Sequence, residues 1–143
     1  MINPDPDFPP TEKLYHRFNE SVLDERIFPA SIRFPVFCVN REKYSKCPED
    51  VINYRRQFKT WGIICFAVMD ILQEFRVSDP KNPILYEFKP FHVPEVDNEA
   101  HTEIRTLKNG RYRVSAKISN KELKMKFRTH LADRAIILKK PAI

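Results

Sequence analysis

Asn109-Gly110 stands between two alternating segments, residues 101–108 and 111–118, and no other feature restricts the fold of this chain as tightly. An Asn-Gly pair supplies the two positive-φ residues of a type I′ turn, whose twist matches that of antiparallel strands. A two-residue turn fixes the register: Lys108 opposite Arg111, Leu107 opposite Tyr112, Arg105 opposite Val114, Glu103 opposite Ala116 and His101 opposite Ile118. Directly opposed side chains share a face. Tyr112, Val114, Ala116 and Ile118 form the apolar face of the second strand, so His101, Glu103 and Arg105 are expected on that apolar side. Arg111, Arg113, Ser115 and Lys117 take the wet side with Thr102, Ile104 and Thr106.

Ser119 and Glu122 then make a capping box, in which each side chain satisfies the other's orphan amide. The helix that follows is expected to run to about Ala132 on a buried stripe of Leu123, Phe127 and Leu131, with a last strand over residues 135–138. Upstream, Thr11 is read as the cap of a short helix reaching Asn19, with Leu14, Tyr15 and Phe18 on one face. Residues 32–40, 63–71 and 84–93 read as strands, the first and last bent at Pro35 and Pro90. Pro48, Glu49 and Asp50 open a helix expected to reach Phe58. Residues 72–83 read as a connection and 94–100 as an acidic loop. The expected architecture is a single α+β domain over residues 11–143, a mostly antiparallel sheet of about five or six strands with two or three helices. Residues 1–10 form an irregular N-terminal arm.

Composition narrows the function classes. The 143 residues carry 2 Gly against 12 Pro, which sets aside glycine-rich phosphate loops and dinucleotide fingerprints. Cys38, Cys47 and Cys65 are an odd number without a C-x-x-C pair, and point to a reduced, cytoplasmic chain. The proline-rich, acidic start has no signal-peptide character, and the longest apolar run, residues 62–72, is short of the ~20 residues that cross a bilayer. The net charge of +6 is uneven. Residues 1–103 hold 13 Lys+Arg against 17 Asp+Glu, a net −4, whereas residues 104–143 hold 12 Lys+Arg against Glu122 and Asp133, a net +10. Arg111, Arg113, Lys117, Lys121, Lys124, Lys126 and Arg128 form a candidate surface for an acidic partner, nucleic acid or protein. An ordinary solvated face accounts for the same residues, and the expected inward turn of Tyr112 removes an aromatic stacking platform from that strand.

His101, Glu103 and Arg105 in one apolar row would cost several kcal/mol unless paired or facing a cavity. Two accounts stay open. In one, the row lines a cleft that His92 approaches from the preceding strand, giving an acid, a base and a cation for metal-free phosphodiester cleavage, as in a toxin or defence nuclease. In the other, a bulge shifts the register, Ile104 turns inward and the charged row meets solvent. His92, His101 and Glu103 could also hold a divalent cation. They lack an established ligand spacing, so no metal ligands are assigned and no cofactor is expected. His16 and His130 read as structural.

The segment from His92 through Pro94, Asp97, Asn98 and Ala100 to His101 resembles a group of small uncharacterised bacterial proteins. These combine a V-x-R … P-E stretch, a W-G-apolar strand and an H-x-P-x-x-D-N-x-A-H loop. The matching positions are Val39, Arg41, Pro48, Glu49, Trp61, Gly62 and the loop residues just named, a likeness spanning roughly residues 33–105. This chain departs from that pattern in its longer C-terminal hairpin and basic helix. The resemblance implies a bacterial origin and a shared fold, transfers no activity, and draws His92, Asn98 and His101 into the candidate site.

Overall fold

In the computed structural model, residues 2–20, 22, 27, 32, 36–71, 74–77, 83–112 and 121–142 are described. They build one antiparallel sheet of eight strands: β1 (Lys13–Phe18), β2 (Val36–Arg41), β3 (Gly62–Ala67), β4 (Glu74–Val77), β5 (Ile84–His92), β6 (His101–Lys108), β7 (Arg111–Tyr112) and β8 (Ile136–Lys139). The order is β4-β5-β6-β2-β1-β3-β8, with β7 on the end of β6. Two α-helices are present among the described residues, α1 (Asp50–Asn53) and α2 (Lys121–Arg134). The chain is therefore α+β as expected, with more strands than the five or six read from sequence.

Four readings are corrected, and in two of them, the segment from Thr11 and residues 72–83, long-range strand pairing overrides local pattern. The helix expected from Thr11 is instead β1, paired on both sides by β2 and β3. Leu14 and Phe18 are four apart, a spacing that serves one face of a strand as well as a helix. The helix expected over residues 48–58 shrinks to α1 and a 3₁₀ turn, Arg56–Phe58. The connection over residues 72–83 contains β4, which pairs β5 as an edge strand. The strand read over residues 63–71 ends at Ala67, where a 3₁₀ turn follows and Asp70 Oδ2 accepts from the Ala67 amide at 2.8 Å.

Each face of the sheet carries its own cover. On one, Leu123, Phe127 and Leu131 of α2 pack against Leu14, Phe37, Ile64, Phe66, Phe88 and Ile104, with the Phe88 and Phe127 rings 4.4 Å apart. On the other, Val51 and Ile52 of α1 join Tyr15, Phe58, Ile63 and Cys65 in a smaller cluster. Gly62 is where the C-terminal strand closes on the sheet: a Cβ there would sit 2.6 Å from the Lys139 carbonyl and 2.8 Å from Phe18 and Pro141. No helix of the described residues is long and apolar enough to cross a membrane.

The hairpin is built as its turn residues require. Asn109 (φ 50°) and Gly110 (φ 78°) take the positive-φ positions, and Leu107 pairs Tyr112 while Lys108 pairs Arg111. The remainder of the second strand, including Arg113 and Lys117, and Ser119 of the capping box lie outside the described residues.

Candidate functional site

The two pairs next to the turn, Leu107 with Tyr112 and Lys108 with Arg111, are as read, and the pairs read with residues 114, 116 and 118 lie outside the described residues. The face given to the deep core is corrected. Ile104 and Thr102 are buried, and Ile104 joins the core under α2. His101, Glu103 and Arg105 therefore share the opposite face, where they are half-buried rather than cored or fully solvated. Tyr112 lies on that second face too, beside Arg105 instead of in the main core. No bulge is needed to turn Ile104 inward. The helix α2 decides which face becomes the deep core, and neither strand of the hairpin encodes that choice.

On this face Arg105 lies between two aromatic rings, 4.8 Å from the centroid of Phe91 and 4.4 Å from that of Tyr112. Its Nε and Nη2 both donate to Glu103 Oε1 at 2.9 Å. Cys38 of β2 is the register partner of Glu103, and Asn40 is the partner of His101. Cys38, His101 and Glu103 bring a sulfur, a ring nitrogen and a carboxylate oxygen within 4.8 Å of one another. Burial pushes the Cys38 thiol up, with Glu103 adding to the effect and Arg17 opposing it. His101 Nδ1 is 2.9 Å from the Val93 carbonyl oxygen, which can only accept, so Nδ1 carries the hydrogen and Nε2 the lone pair of the neutral ring. Glu95 Oε1 lies 3.6 Å from the same Nδ1.

His92 belongs elsewhere. It pairs Thr102 and shares the other face of the sheet. The Asp5 amide donates to its Nδ1 at 2.9 Å, and its Nε2 donates to the Glu99 carbonyl at 2.6 Å. The ring stacks on Tyr44 at 4.6 Å. With both nitrogens engaged and the ring buried, His92 fastens the N-terminal arm to the 93–100 loop. It does not meet His101 as an acid–base partner. Asn98 is buried and donates from Nδ2 to Asn40 Oδ1 at 2.7 Å, which ties the same loop to β2 behind His101. The Nδ2 of Asn40 has no hydrogen-bond partner among the described residues.

Beside His92 a buried cluster holds the arm down. Arg41, 0% exposed, makes a bidentate pair with Glu12, Nε–Oε2 at 3.0 Å and Nη2–Oε1 at 2.7 Å. It also donates to the carbonyls of Asp5 at 2.9 Å and Asp7 at 2.5 Å, with the Phe8 ring 3.9 Å away. The carboxylate of Asp5 takes the Lys43 ammonium at 2.6 Å and the Tyr44 hydroxyl at 2.7 Å.

The cationic surface is partly described. Arg111 at the hairpin tip and Lys121 and Lys126 of α2 are exposed, while Lys124 and Arg128 are half-buried. Arg128 Nε donates to the Ile32 carbonyl at 2.7 Å, and Lys126 Nζ lies 4.7 Å from the Phe75 ring and 3.9 Å from Glu122. His130, on the same helix, is held below its usual value by burial, with Arg134 adding to the effect.

Sequence reasoning named His101, Glu103 and Arg105 but missed Cys38 and Asn40. The pairing of β2 with β6 is what brings them in, and it leaves no local signal. No family model, curated protein or solved structure matches this chain.

Proposed function

We propose that the chain is a binding module that engages an acidic macromolecule, nucleic acid or protein, through its basic C-terminal third. The observation that carries this is the separation of charge. Residues 104–143 hold the +10 excess, and α2 buries Leu123, Phe127 and Leu131, which leaves Lys121 and Lys126 turned outward. Several acidic residues of the first part are paired with cations of their own, Asp5 and Glu12 with Lys43 and Arg41, and Asp97 with Arg55. They do not neutralise the helix. Exposed Lys108 and Arg111 at the hairpin tip add charge of the same sign. Such a surface follows a phosphate backbone by counterion release and carries no base readout.

Fluorescence anisotropy with labelled single- and double-stranded oligonucleotides tests this. About four phosphate contacts give a log–log salt slope near −3.6 on duplex, or roughly a hundredfold loss of affinity between 50 and 200 mM salt. Lys121→Glu with Lys126→Glu should flatten that slope and weaken binding to every sequence alike. A complex insensitive to salt, or none at low salt with either nucleic acid or an acidic polypeptide, overturns the reading.

A further inference from the structure

The half-buried face of β2 and β6 holds a mixed set of donor atoms that the binding reading does not use. We propose that Cys38, His101 and Glu103 form a three-ligand site for one thiophilic divalent metal ion of the zinc class, with a coordination position left for a water or substrate oxygen.

The donor set points to this class of ion. A thiolate selects against the hard cations that prefer all-oxygen shells, and an imidazole with a carboxylate completes a set suited to zinc. Three protein ligands, rather than four, is the count of sites that keep a position open. Bonds of about 2.0–2.3 Å in a tetrahedron put ligand atoms about 3.3–3.8 Å apart. The three atoms here lie within 4.8 Å of one another, so closure asks for shifts on the order of an ångström.

The scaffold is already in place. Cys38 and Glu103 are directly opposed on adjacent interior strands, and His101 is two residues from Glu103 on the same face. Sites built on paired strands are held more tightly than sites on loops. The outer contacts are those that orient metal ligands. Val93 fixes the His101 tautomer and leaves Nε2 its lone pair. Arg105 places Nε and Nη2 on Glu103 Oε1, and Oε2 is the second carboxylate oxygen. Asn40, 1% exposed and directly across from His101, keeps a buried amide donor without a protein partner among the described residues. Buried orphan donors are rare enough to mark a place where a further oxygen is received. The site draws on a different face and different residues from the cationic surface, and stands or falls separately.

Cobalt(II) provides the probe. Chelator-treated protein titrated with cobalt chloride should take up one equivalent, with a thiolate-to-metal charge-transfer band and the visible bands of four-coordinate cobalt, all removed by zinc. Cys38→Ser should abolish the charge-transfer band, and Cys47→Ser, at the exposed cysteine, should leave it intact. His101→Gln and Glu103→Gln should weaken zinc at least about tenfold in competition with a chromophoric chelator. If Cys38→Ser does not fold, zinc should still slow alkylation of Cys38 in the unaltered chain, with Cys47 unaffected. A band that survives Cys38→Ser or is lost in Cys47→Ser overturns the site. So does an unaltered chain that neither shows the band nor protects Cys38.

Discussion

Replacing Arg41 by leucine should uncouple the N-terminal arm from the sheet and cost about 3–5 kcal/mol, the usual penalty for breaking a buried charge pair from one side. The size follows from what the guanidinium holds. Four hydrogen bonds disappear, two to Glu12 and one each to the carbonyls of Asp5 and Asp7. Glu12, 7% exposed, keeps the Lys43 amide at 3.0 Å and loses its bidentate cation. Leucine fills part of the volume against Phe8 but supplies none of those donors. An unfolding entropy of about 2.1 cal/mol/K per residue over this chain gives roughly 0.3 kcal/mol/K, so the loss lowers Tm by about 10–17 °C. Thermal unfolding followed by circular dichroism measures it. Removing both charges, Arg41→Leu with Glu12→Leu, should recover the part of the loss that comes from leaving Glu12 buried without its cation, but not the part from the Asp5 and Asp7 carbonyls. The double variant should therefore be less harmful than the sum of the two single ones. A single substitution that moves Tm by under about 3 °C, or a double substitution as harmful as the sum of its parts, refutes the account of Arg41 as the fastening of the arm.

Two glycines should respond differently. Gly110→Ala meets open space and is penalised only by its positive φ, about 1 kcal/mol, whereas Gly62→Ala drives a methyl into the Lys139 carbonyl and should cost about 1–3 kcal/mol. Hydrogen exchange after Gly62→Ala should show β8 deprotected ahead of β5 and β6; uniform protection would count against it. The pH dependence of Asp5 has a definite sign. Lys43 first, then Tyr44, hold its carboxyl well below the ordinary value, so its contribution is complete above about pH 4 and is lost as the pH falls further. The Tm difference between the unaltered chain and Asp5→Asn should therefore be largest near neutrality and narrow toward pH 2. A difference that stays constant across that range would exclude the carboxylate as its source.

What could be read from the residues was local. Asn109-Gly110 carries its conformation in its own side chains, and Leu123, Phe127 and Leu131 announce the buried side of α2 at helical spacing. The strands from residues 84 and 136 were legible for the same reason, as short β-branched and aromatic runs closed by turns. What was misread depended on distant partners. Leu14 and Phe18 fit two periods, and only β2 and β3 on either side select the extended one. His101, Glu103 and Arg105 share a face with Tyr112 as the turn requires, but that face is not the deep core, because Ile104 on the other side of β6 is what packs with α2. Cys38 looked like a small hydrophobe, since nothing in its own segment says that Glu103 lies across from it.

The interior strands β2 and β6 come from opposite halves of the chain. A ribosome releasing this polypeptide would expose the β1, β2 and β3 segments long before the residues that pair with the outer edge of β2 have been synthesised. Through that interval the nascent sheet offers a bare margin to any neighbouring extended chain. Maturation waits on the loop and hairpin beyond residue 93, so a stall or nick just ahead of it strands the early half as an adhesive intermediate instead of a smaller working fold.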